Sequence, residues 1–71
     1  MEVSIELGFF TEEDFDSLSN FLLNNAGIEP LPPRMGAGEI ITLQMTVVVP
    51  EQDRVRVDNL VHSWRMTQRQ N

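Results

Sequence analysis

The stretch EVSIELGFFTEEDF, residues 2–15, changes its hydrophobic period halfway along. Val3, Ile5, Leu7 and Phe9 alternate with Glu2, Ser4, Glu6 and Gly8, the period of a strand with one buried and one wet face. Phe10 then precedes a helix start. Thr11 stands as N-cap, Glu12, Glu13 and Asp14 fill the first turn, and Phe15 is placed to close a hydrophobic staple with Phe10. Asp14 takes the position where a capping box uses Glu or Gln. Phe15, Leu18, Phe21 and Leu22 make the apolar stripe, and Gly27, after Asn24, Asn25 and Ala26, is free to take the left-handed cap. This spacing predicts a helix over 12–25.

Working outward, residues 28–39 hold three of the four prolines and two of the four glycines. Such a segment is a connection, stiff around Pro30, Pro32 and Pro33 and loose around Gly36 and Gly38. A second strand follows, with Ile41, Leu43, Met45, Val47 and Val49 on one face and Thr42, Gln44 and Thr46 on the other. A helix and a loop between the two strands suit a parallel, right-handed crossover. Pro50 fits the first position of a second helix, with Glu51 and Asp53 near its positive end, Arg65 and Arg69 near its negative end, and Val57, Leu60, Val61 and Trp64 on one side. Val55 is off that stripe, so residues 54–57 have a second reading as a short strand; the capped stripe is the stronger pattern. The expected fold is a single α/β (α+β) domain over 1–71, a small two-layer βαβα sandwich. Both helices cover one face of a short sheet, leaving Glu2, Ser4, Glu6, Thr42, Gln44 and Thr46 on the other.

A chain of 71 residues has a thin core, and with no cysteine neither disulfides nor a cysteine-ligated zinc can supplement it. Assembly with another chain is the remaining route. The start is acidic where a signal peptide is basic, and no apolar run approaches the roughly 18 residues of a membrane span, so a cytoplasmic protein away from membranes is expected. Charge is lopsided: residues 1–33 carry seven acids and no base, residues 34–71 four acids and five arginines, for a net charge of -6. Such asymmetry steers association and does not choose a fold. It disfavours direct nucleic-acid binding.

No catalytic constellation emerges. Glu12, Glu13, Asp14 and Asp16 lack the glycine and terminal Glu of a calcium loop, and serve the helix dipole without any ligand. His62 is the only histidine, and with no cysteine a transition-metal site would have to be built from carboxylates around it. Ser63 adjoins His62 in sequence and does not face it, and no nucleophile elbow surrounds any serine. The Gly36–Gly38 turn precedes a strand and lacks the Lys and Ser/Thr of a phosphate-binding loop. Pro30 and Pro33 match the minimal proline-recognition spacing, which a rigid spacer also gives. No enzyme activity, metal or cofactor is expected.

The order of features resembles the effector-associated constant component family of bacterial conflict systems. Similar elements are a charged first strand (1–7), an acidic helix (12–23), a Pro and Gly connection with Met35 beside Gly36, an apolar strand, and a last helix (60–69) closing on Trp64 and Arg65. The Gly and Ala run that often opens that family's last helix is replaced by residues 50–55. The resemblance implies an adaptor or regulatory partner of a defence effector, with no catalytic residues to carry over.

The expected function is therefore a non-enzymatic protein-interaction or regulatory module, with an acidic nucleic-acid mimic as the alternative. The expected partners are a second copy, most simply in a dimer, and another protein. Candidate contact residues are Thr42, Gln44 and Thr46 on the open sheet face, Trp64, Arg65 and Met66 on the last helix, and Glu12, Glu13 and Asp16 on the first. Trp, Arg and Met favour interface cores, yet Trp64 is also in register with the core stripe. The apolar strand 40–49, with neither charge nor proline before Pro50, is the expected edge for pairing with another chain.

Overall fold

The computed structural model describes residues 1–35 and 41–69. Strand β1 (Glu2–Phe10) leads into helix α1 (Glu12–Ala26); a two-residue strand β2 (Arg34–Met35) precedes β3 (Leu43–Pro50), and a 3-10 turn (Glu51–Asp53) runs into helix α2 (Arg54–Arg69). The two-layer α+β sandwich with both helices on one sheet face is as expected, but its order is βαββα. Residues 54–57 are helical, and Val55, off the stripe, is exposed.

The sheet order is β1-β3-β2 with both pairings antiparallel. This corrects the parallel crossover. The connection after α1 is long enough to recross the domain, and it does so as an extended segment along β3. Leu31 N–H donates to the Thr46 carbonyl at 2.9 Å, and Arg34 and Met35 then pair with Gln44 and Leu43. The apolar strand is thus central, so the expected free edge over 40–49 is occupied from Leu43 to Thr46. Ile41 precedes the strand and is exposed. Ile40 and the loose Gly36–Gly38 turn lie outside the described residues.

Inside the sandwich, Val3 pairs with Val49 and Ile5 with Val47 on the helix-facing side. Beyond Glu6 the register shifts by one residue, so that Gly8 pairs with Met45, Phe9 with Gln44 and Phe10 with Leu43. Gly8 adopts a φ of 112°, a conformation side chains rarely take. The bulge flips the alternation: Phe10 is buried, and Phe9, expected inward, is 58% exposed on the outer face. Leu18, Leu22, Met45, Val47 and Val57 are fully buried, and Ile5, Phe10, Phe15, Val49, Val61 and Trp64 complete the core. Each such side chain contributes about 1.5–3 kcal/mol through area removed from water.

Local chemistry fixes the helix ends. The Thr11 hydroxyl accepts from Asp14 N–H at 3.2 Å, and Phe10 and Phe15 on either side of it enter the same core cluster. At the other end Gly27, with φ 64°, lets its own N–H reach the Leu23 carbonyl and Ile28 N–H the Leu22 carbonyl.

Denaturant melts should show Thr11→Ala costing about 1 kcal/mol through the lost cap and Phe15→Ala about 3 kcal/mol or more through the cavity. Gly8→Ala should also destabilise, by about 1 kcal/mol or more, through backbone strain alone, since nothing lies within 4 Å of the added Cβ. A neutral Gly8→Ala would remove the bulge as the source of the phase change.

Candidate interaction surfaces

The sheet face opposite the helices carries a row from each strand pair: Ser4 beside Val48, Glu6 beside Thr46, and Phe9 beside Gln44 beside Arg34. Leu31 and Pro32 form one wall of an open groove over this face, Ser4, Gln44 and Thr46 line it, and Glu6 lies on its β1 side. Arg34 and the first residue of α2, Arg54, also line it. Phe9, Leu31 and Val48 expose 58%, 44% and 40% of their surface on or beside this face. The groove therefore offers uncharged hydrogen-bonding groups flanked by one acid and two guanidinium groups.

Of the candidate contact residues, Gln44 and Thr46 are brought together here, both half-buried; Thr42, also half-buried, lies just before β3. Glu12, Glu13 and Asp16 are exposed on α1, and Arg65 and Met66 on α2, away from the groove. Trp64 is corrected. It is 6% exposed and belongs to the core, with its ring edge-to-face on Phe10 (centroids 5.9 Å apart, 79° between planes) and its Nε1–H donating to Ser17 Oγ at 3.0 Å. A tryptophan in register with the stripe has more area to bury inward than across a surface, and Ser17 supplies the partner its indole N–H needs.

Ser4, Glu6, Leu31, Arg34 and Arg54 line the groove without having been singled out from the sequence. Their grouping depends on the antiparallel register and on the linker running along β3, neither of which leaves a local signature; only the mixed alternation of β1 placed Ser4 and Glu6 on the open face.

The other chemistry-bearing residues remain apart. His62 and Ser63 are exposed, and among the described residues no three His, Asp or Glu side chains gather in a metal-binding arrangement. No described helix is long and apolar enough to cross a membrane. Between α1 and the proline segment, a second groove runs past Phe15, Ser19, Leu23 and Pro30, and the enclosed Ser19 Oγ has no hydrogen-bond partner. Comparisons with protein-family models, curated proteins and solved structures find no match to this chain.

Ser17→Ala should cost about 1 kcal/mol, because it strands the part-buried Trp64 indole N–H, and Trp64 fluorescence should shift only on global unfolding. A Trp64 emission maximum typical of water in the native protein would contradict its place in the core.

Proposed function

We propose that the protein is a non-enzymatic interaction module that assembles with a second copy and docks another protein. The observation that carries this reading is the uncovered outer face of the sheet. Exposed Phe9, Leu31 and Val48 are interleaved there with hydrogen-bonding side chains, with Glu6 of β1 on one flank, Arg34 of β2 on the other and Arg54 lining the same groove. Such a face is self-complementary under a two-fold axis, which sets the Glu6 flank of each copy against the arginine flank of its partner. The apolar side chains supply the drive for association and the charges the register, since exposed ion pairs contribute little by themselves.

The acidic-mimic alternative needs carboxylates on one continuous surface. Glu2 and Glu6 lie on the outer sheet face, Glu12, Glu13 and Asp16 in the helical layer, and Arg34 and Arg54 share the groove with Glu6. That distribution favours the module. An adaptor role beside a bacterial defence effector is the setting implied by the family resemblance, and it is proposed together with the cytoplasmic location expected from the acidic start and the short apolar runs.

Sedimentation should give more than the monomer mass at tens of micromolar. Glu6→Arg alone, and Arg34→Glu with Arg54→Glu, should each dissociate the assembly, and mixing the two variants should restore it. A wild-type protein that stays monomeric at millimolar concentration would overturn self-assembly through this face.

A further inference from the structure

The two edges of the sheet are closed in different ways. On the β2 side Pro30, Pro32 and Pro33 have no amide hydrogen, so the stretch leading into β2 offers few donors to a further strand. On the other side β1 pairs, among the described residues, only with β3. Backbone direction alternates along an antiparallel strand, and two bonds set its phase. Leu31 N–H reaches the Thr46 carbonyl at 2.9 Å, so Thr46 faces away from β1 and its opposite number, Glu6, faces away from β3. Glu51 N–H reaches the Met1 carbonyl at 2.8 Å, which gives the same phase at the other end. The N–H and C=O groups of Ser4 and Glu6 therefore point outward from the sheet. The side chains of Glu2, Ser4 and Glu6 are exposed on its outer face.

We propose that this edge docks an extended basic segment of another protein, which joins as a fourth strand with Lys or Arg beside Glu2 and Glu6. The inference deepens the interaction-module reading and rests on it. Main-chain bonds to Ser4 and Glu6 supply the pairing, and the two carboxylates select its charge. The edge is unsuited to a second copy of β1. In every two-fold register that uses residues 2–6, glutamates meet directly opposite or diagonally, and β1 carries no base to compensate. Acidic strands are repelled for the same reason. The bulge between Glu6 and Gly8 ends the regular ladder, so the segment has about five residues in register, with its basic residues four apart.

The test uses a fluorescent peptide, SKVTVKS, whose lysines fall opposite Glu2 and Glu6. Two controls accompany it: the acidic analogue SEVTVES, and SKVTVKS N-methylated at the backbone amides that would face β1. The basic peptide should bind at least tenfold more tightly than either control by fluorescence anisotropy, and at saturation it should slow amide exchange at Ser4 and Glu6. Glu2→Lys with Glu6→Lys should reverse the preference towards SEVTVES. N-methylated peptide binding as tightly as its parent would reduce the effect to charge attraction and overturn the proposal. So would absence of binding up to millimolar peptide, or unchanged exchange at Ser4 and Glu6. The peptide controls need no altered protein, so failure of the double variant to fold leaves the test intact. Self-assembly through the outer face, in which Glu6 also takes part, is read separately by sedimentation of the unaltered protein, which distinguishes failure of this edge from failure of the module.

Discussion

The slip of one residue at Gly8 is the constraint on which the rest of the domain depends. If β1 kept strict alternation, Phe9 would enter the core, Phe10 would point to solvent, and Thr11 would begin α1 from the wrong face. Gly8, at a φ of 112°, absorbs the extra residue and turns Phe10 inward instead. From there Phe10 meets the edge of Trp64 from the far end of the chain and flanks the Thr11 cap with Phe15. One glycine thus links the strand's phase, the helix's starting point and the closing contact of the second helix.

That contact also fixes how the helices lie. Arg56 near the start of α2 donates to the Asn25 carbonyl at 3.4 Å near the end of α1. Two turns further along α2 and two turns back along α1, Trp64 donates to Ser17. The helices are therefore antiparallel and joined at two points, and Arg56 adds a positive charge at the negative end of the α1 dipole. The sequence shows both partners of each contact only as members of their own helices.

What was legible in the sequence followed from range. The cap at Thr11, the stop at Gly27 and the α2 stripe through Val57, Val61 and Trp64 are local, and each reads directly from neighbouring residues. Strand direction is not local. Nothing between residues 27 and 42 states how far the chain travels before turning back, and a strand of two residues, Arg34 and Met35, has no period to detect. The bulge did leave a trace, since a glycine inside a strand pattern followed by two phenylalanines marks a possible change of phase. Of the outer groove only the polar strand residues were legible, since alternation put Ser4, Glu6, Gln44 and Thr46 on the open face, while Leu31, Arg34 and Arg54 join them only through that non-local register.

Among the described residues the core contains no charged or polar side chain. The folding free energy therefore comes from apolar burial and caps, while the acids and arginines lie where they act on whatever approaches the surface. This separation matters in a chain this short, which has little stability to give up for recognition. Proline removes backbone donors along the approach to β2 on one edge of the sheet. Glutamate closes the other edge only to strands of like charge and leaves the donors of Ser4 and Glu6 in place. A protein that needed only protection from edge pairing would gain as much from a second proline run; the carboxylates and free donors kept on the β1 edge are what the proposed docking of a basic strand would use.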